Sequence, residues 1–195
     1  MNIGVFCSAN KNVDKAYFEA TQALGMWIGK KGHSLVWGGC RLGLMETIAE
    51  SFREGALALP EEKRGKLIGV IPEIIEEKGK SFSPVDKAVY CKNLSERKEI
   101  MNSLSDVLIA LPGGIGTLDE IFTLASSATI GYTDKKVILY NISGFWNPLI
   151  SLMNYLESQG MIRGDYRQRI VEVKSLDELS SVFRLLPARS SSCLQ

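Results

Sequence analysis

The residues best equipped for chemistry lie in LPGGIGTLDE, residues 111 to 120. This stretch joins a short apolar run, SDVLIA, to IFTLASSA, which reads as a helix. Strand, glycine turn and helix together make an anion site. Gly113, Gly114 and Gly116 lack side chains, so the backbone is expected to take positive φ and bring its N–H groups close to a ligand. Thr117 is expected to open the helix, whose unpaired N–H groups and positive dipole end favour a phosphate. Asp119 and Glu120 then fall in the first helical turn, beside the anion, where a carboxylate is costly unless it has a task of its own. That makes Glu120 the first catalytic candidate. The same four residues, Thr117 to Glu120, also fit a capping box in which Glu120 only satisfies a backbone N–H. Both readings stand at this level.

The second group is cationic and precedes the central strand. In NLSERKEIMNSLS, Leu94, Arg97, Met101 and Leu104 recur on one helical face, so Arg97 occupies an inward-looking row and Lys98 lies at its edge. A semi-buried cation needs an anionic partner, and an arginine fork suits a carboxylate or phosphate. Alternatively, Arg97 snorkels outward or pairs with Glu96 or Glu99.

Composition narrows the chemistry. The chain has 195 residues, room for one substantial core, and 23 basic against 22 acidic side chains, a net charge of +1. That balance argues against a broad nucleic-acid-binding surface. No apolar run approaches the roughly 20 residues of a membrane span. No secretory signal precedes the first strand, so a cytoplasmic location is expected. Cys7, Cys40, Cys91 and Cys193 are widely spread and fit reduced thiols better than disulfides or a zinc site. His33 is the only histidine and lies in a helix-to-strand turn, which disfavours a Ser-His-Asp hydrolase and His-cluster metal sites. No metal or cofactor is called for.

The elements that must position these groups alternate along the chain. NIGVFC reads as a strand ending in the small, polar loop Cys7-Ser8-Ala9-Asn10, and residues 12 to 30 as a helix closed by Gly32. SLVW is a second strand, and GGCRLGLMETIAESF, opening with Gly38 and Gly39, a second glycine turn into a helix. KLIGVIP, DKAVYC and KKVILYN read as strands. Asn93 is an N-cap with Glu96 three residues on, and Asn147-Pro148 a cap followed by proline at the first helical position. Residues 169 to 174 suit a last strand and SLDELSSVFRLL a closing helix, with a frayed tail at 188 to 195. Residues 73 to 85 carry acids, Gly79 and Pro84 without a clear period and read as a candidate mobile flap. The alternation implies an α/β, Rossmann-like doubly wound parallel sheet with helices on both faces, as a single domain over 1 to 187. The two glycine turns would then share one edge, where ligands bind in open α/β folds.

Neither familiar nucleotide fingerprint survives inspection. Asp119 stands where the third glycine of a dinucleotide turn belongs, and Ile74 where the leading glycine of a P-loop ending at Gly79-Lys80-Ser81 should be. SERKEIM at 95 to 101 and PGGIGTLDE at 112 to 120 instead resemble the paired RK and PGGxGTxxE signatures of the Lonely guy (LOG) family of nucleoside 5′-monophosphate phosphoribohydrolases. The likeness extends through VFCSAN, WGGCRLGLM, GVIP and KKVILYNISGFW. It implies a hydrolase that cleaves the N-glycosidic bond of a purine nucleotide, AMP or an N6-modified cytokinin nucleotide, to free base and ribose 5-phosphate.

The resemblance also implies a homodimer, with Arg97 and Glu120 as the catalytic pair. It gives Lys98 and the segment Gly113, Gly114, Ile115, Gly116, Thr117, Leu118 and Asp119 to nucleotide binding, with Gly116 and Thr117 at the phosphate. Ser8, Gly38 and Gly39, at the neighbouring strand ends, complete the expected substrate site. Ser95, Cys40, Glu46 and Ser127 depart from the family pattern around the base pocket and leave the base open. The alternative is a non-catalytic nucleotide or molybdenum-cofactor carrier on the same scaffold.

Overall fold

The computed structural model describes residues 1–185; the end of the expected domain, the tail at 188 to 195 and Cys193 lie outside the described residues. Strands and helices alternate as β1 (Asn2–Phe6), α1 (Lys15–Lys30), β2 (Ser34–Trp37), α2 (Gly43–Ala56), β3 (Leu67–Pro72), α3 (Glu73–Glu77) and β4 (Lys87–Cys91). They continue as α4 (Leu94–Leu104), β5 (Val107–Ala110), α5 (Ile115–Thr129), β6 (Val137–Tyr140), α6 (Asn147–Ser158), β7 (Ile170–Val173) and α7 (Leu176–Leu185). All pairings are parallel, in the order β4-β3-β2-β1-β5-β6-β7. The chain winds outward from β1 to β4, then returns to lay β5 against the other side of β1. That reversal opens a crevice at the carboxyl ends of β1 and β5.

Strand periodicity divides the core between the two faces. Leu35 and Trp37 of β2 pack with Leu24 and Ile28 of α1, Ile48 and Phe52 of α2 and Leu179 of α7. Val36, between them, faces the other layer with Met101 of α4, Ile121 and Leu124 of α5, and Leu149 and Met153 of α6. Covered on both sides, β3, β5 and β6 are buried along their whole length, whereas edge strand β4 is largely exposed. No helix of the described residues is long and apolar enough to cross a membrane.

Several expected boundaries move for identifiable reasons. Helix α1 starts at Lys15 rather than residue 12, because the Asp14 carboxylate accepts the Ala16 N–H at 2.8 Å and sets the cap there. Helix α6 is capped by Trp146, which puts Asn147 inside the helix; the Asn147 side-chain oxygen instead accepts from Asn141 at 2.8 Å. Asn93 does cap α4, accepting the Glu96 N–H at 2.9 Å while Glu96 accepts the Lys92 N–H at 2.7 Å. Of the inward row on α4, Met101 is fully buried, but Leu94 is 57% exposed in the first turn.

The segment expected as a flap is pinned. After the short helix α3, Lys80 accepts the Arg41 N–H at 2.8 Å, Ser81 bridges Cys40, and Phe82 donates to Gly39 at 2.8 Å. The Phe82 ring is buried edge-on against Trp37.

Candidate active site

The crevice is assembled from main-chain bonds at the strand ends. Leu111 donates to Phe6 at 2.9 Å, Ser8 to Pro112 at 3.2 Å, and Leu44, at the start of α2, to Ser8 at 3.0 Å. The first loop, the central glycine turn and the second glycine turn are thereby fixed to one another. The Ser8 hydroxyl accepts the Asn10 N–H at 3.0 Å, which leaves its own O–H able to donate.

Helix α5 begins two residues earlier than expected, with Gly114 as its N-cap and Ile115, Gly116 and Thr117 as its first three residues. None of Gly113, Gly114 and Gly116 takes positive φ, contrary to the reason first given for them. Their value is space. A Cβ on Gly113 would lie 2.1 Å from Thr117 Oγ1, so its absence lets the buried Thr117 fold back against the turn. A Cβ on Gly114 or Gly116 would meet nothing within 4 Å, so these two keep clear the volume over the helix end. The N–H groups of residues 115 to 117 are the donors that an α-helix leaves without internal partners, at the positive end of its dipole.

The shifted helix start also removes the capping-box reading. Asp119 and Glu120 lie beyond the first turn, and Glu120 reaches Arg97 instead of its own backbone. Arg97 Nη2 donates to Glu120 Oε1, with Glu120 only 4% exposed and the Arg97 side chain 13%. Burial pushes the Glu120 carboxyl up to about 7, against the pull of the Arg97 guanidinium. Such a group titrates where a general base is most useful. Behind it, Gly38 makes room for the guanidinium: a Cβ there would be 3.3 Å from Arg97 Nη1. Gly39 turns the chain at φ +69, where a Cβ would also strike Ile71 at 2.4 Å.

Together these groups line a cavity of about 190 Å³, formed by Ser8, Arg97, Gly114, Gly116, Thr117 and Glu120 with Cys7, Ala9 and Met45. Of the residues expected at the site, Gly38, Gly39 and Gly113 do not line the cavity; Gly38 lies behind it against Arg97, and Gly113 against Thr117. Ile115 does not line it and is 87% exposed, and Leu118 packs against the core. Lys98 and Asp119 do not line it either; they pair with each other at 2.7 Å beside it. Sequence reasoning missed Cys7, Ala9 and Met45, whose one signal was adjacency to the two strand ends flanking the switch point. The Cys7 thiol is held far above its ordinary range by burial, then by the Glu120 charge, which removes it as a thiolate nucleophile. Among the described residues no group of three or more His, Cys, Asp or Glu side chains is arranged to hold a metal ion.

The doubly wound parallel sheet, with a buried acid–guanidinium pair beside a helix N-terminus at its switch point, is of the Rossmann-like α/β class. The molybdenum cofactor carrier protein of Chlamydomonas reinhardtii shares this fold, with a TM-score of 0.67 at 21% identity over 94% of this chain and 96% of that one. Residues 45–183 match the family model described as "possible lysine decarboxylase". The chain is 33% identical over 177 residues to a probable cytokinin riboside 5′-monophosphate phosphoribohydrolase of Oryza sativa subsp. japonica, covering 91% of this chain and 76% of that protein. It is 28% identical to the cytokinin riboside 5′-monophosphate phosphoribohydrolase of Rhodococcoides fascians, over 94% of this chain and 89% of that protein. The chain belongs to this family, the Lonely guy family.

Proposed function

We propose that the protein is a nucleoside 5′-monophosphate phosphoribohydrolase that splits purine nucleotides, AMP or an N6-modified relative, into free base and ribose 5-phosphate. The observation that carries this reading is Glu120, a buried carboxyl held on Arg97 within a few residues of an open helix N-terminus. The 5′-phosphate takes the N–H groups of residues 115 to 117, a placement that needs no cationic side chain. The ribose then lies over Glu120.

As the C1′–N bond breaks, its electron pair leaves with the base and the sugar becomes an oxocarbenium ion, as in glycoside hydrolysis generally. The Glu120 carboxylate stabilises that cation and takes a proton from the attacking water. The water oxygen ends on C1′ as a hydroxyl, the departing base takes up one proton from solvent, and Glu120 returns the proton it accepted to solvent, so that one water is consumed per turnover. Arg97 holds the carboxylate in register.

The test is incubation of the purified chain with AMP, N6-prenylated AMP and adenosine, followed by chromatography for free base. Base released from the monophosphates and not from adenosine supports the proposal. Nucleotide binding with no base released supports a carrier instead. A second measurement concerns the glycines. Gly116→Ala should fold normally and gain up to about 1 kcal/mol of stability, because Ala loses less chain entropy than Gly and its methyl meets no atom within 4 Å. That methyl occupies the phosphate's space, so KM for AMP should rise about tenfold, one lost interaction of about 1.4 kcal/mol. Gly113→Ala should instead lower the melting temperature, since its methyl collides with Thr117.

The homodimer implied by the family resemblance belongs to the same reading. Phe122, Ile130 and Tyr132, on α5 and the turn after it, are 36%, 66% and 82% exposed. Sedimentation at micromolar concentration should give twice the chain mass, and a monomer there would end this part of the proposal.

A further inference from the structure

Helices α4 and α5 are joined by two ion pairs in adjacent register. Arg97 meets Glu120; one residue further along α4 and one back along α5, Lys98 meets Asp119. The first pair lines the cavity and the second does not. Lys98 Nζ lies 2.7 Å from each Asp119 oxygen and 3.0 Å from Thr123 Oγ1, with its side chain only 16% exposed. An ammonium group has three N–H donors, and here three acceptors engage them. None remains for a phosphate.

We propose that Lys98 is a positioning residue that never touches the nucleotide: it grips Asp119 and Thr123, fixing α4 against α5 so that Arg97 stays on Glu120. The inference rests on the reading of Arg97 and Glu120 as the reacting pair. It assigns Lys98 a role different from the nucleotide contact that the family resemblance implies. The electrostatics run the same way. The groups facing Glu120 are Arg97 and Lys98 from α4, Asp119 from its own helix and Cys7 from the loop after β1. Asp119 favours the protonated acid and Lys98 opposes it. Losing Lys98 therefore exposes Glu120 to an unopposed neighbouring carboxylate.

The experiment compares Lys98→Met, Lys98→Arg, Asp119→Asn and the double variant Lys98→Met/Asp119→Asn in the full chain, with AMP as substrate. Lys98→Met should lower kcat about tenfold with KM within about threefold of the parent, the pattern of a lost transition-state arrangement. The acid limb of its kcat/KM profile should move up by about one pH unit, the effect of a changed neighbouring charge. Removing Asp119 as well should return the limb toward the parent position, and Lys98→Arg should restore most of kcat. A tenfold rise in KM with kcat and the limb unmoved overturns the proposal, because Lys98 would then be holding the nucleotide. So do Lys98→Met and Asp119→Asn effects that simply multiply in the double variant.

If the parent protein releases base from no monophosphate, the reaction reading falls, and the positioning role is judged without it. The readouts are then carbon-13 NMR titration of the Glu120 carboxyl and AMP affinity. An upward titration shift in Lys98→Met at unchanged affinity upholds the role; an unmoved titration overturns it.

Discussion

Glu120→Gln should reduce base release from AMP by about three orders of magnitude, the scale of losing a positioned general base, while AMP still binds within a few-fold of the parent. The separation follows from the geometry. The phosphate-holding N–H groups belong to residues 115 to 117 and survive the substitution, whereas the ionised group over the ribose is lost. Glutamine is close in shape and can still accept the Arg97 hydrogen bond, so the variant removes charge and basicity more than structure. Isothermal calorimetry alongside a base-release assay reads both halves, and near-parental turnover would remove Glu120 from the mechanism.

The parent's pH profile carries the same signature. With the carboxyl at about 7, kcat/KM should fall tenfold per unit at pH values below that, as the carboxylate is protonated. A bound phosphate adds negative charge nearby, so the limb in kcat should lie higher than the limb in kcat/KM. The residual activity of Glu120→Gln should lack both limbs. Stability has the opposite slope. A carboxyl raised from 4.5 in the unfolded chain to about 7 in the fold favours the native state below 4.5, and that advantage is lost as pH climbs through about 7.

Arg97→Met should cost about 10² to 10³ in kcat/KM, comparable to deleting one group that stabilises charge in the transition state. Two effects combine. The substrate and carboxylate lose their common anchor, and Glu120 loses the cation that opposes its burial, so its carboxyl moves further above 7 and the base form becomes scarce at neutral pH. The consequence for folding is pH-dependent. Removing one member of a buried pair costs about 3 kcal/mol when the other keeps its charge, but Glu120 can instead take up a proton. Below about pH 7 the acid is largely protonated in parent and variant alike, and their melting temperatures should differ little. Above it the parent has stopped losing stability from this group while the variant continues to lose, so the deficit opens toward pH 9. Thermal melts at pH 6 and pH 9 check this, and a deficit equal at both would refute the linkage. Arg97→Lys should recover only part of the rate, since an ammonium cannot reproduce a planar fork in the space that Gly38 leaves.

What could be read from the chain alone followed from local chemistry with few solutions. Alternating apolar runs and helical stretches dictated a parallel two-faced sheet, and Asn93 with Glu96 three residues on marked the start of α4. Arg97 on an inward row and Glu120 beyond a glycine turn were both visible, but nothing in their spacing said that they touch; that contact depends on α4 and α5 packing side by side. The start of α5 was misjudged because Thr117 is a good cap by type. The helix nevertheless begins at Ile115 with Gly114 as its cap, and Thr117 lies against the bare Cα of Gly113. Leu94 matched the apolar stripe but falls in an exposed first turn of α4. Lys98 and Asp119 carried no sign that they would choose each other over a ligand.

Residues 79 to 82 were the least legible, and the manner of their anchoring explains why. Two main-chain hydrogen bonds, which together form a strand-like bridge, tie them to residues 39 to 41, and Phe82 alone contributes a buried side chain. Amide and carbonyl groups are common to nearly every residue, so this fastening leaves no imprint on side-chain identity. Lys80 and Ser81 can therefore be exchanged for many other residues without loosening the tie. Evolution or an engineer can change the surface chemistry at those two positions while the turn beneath Arg97 stays where it is.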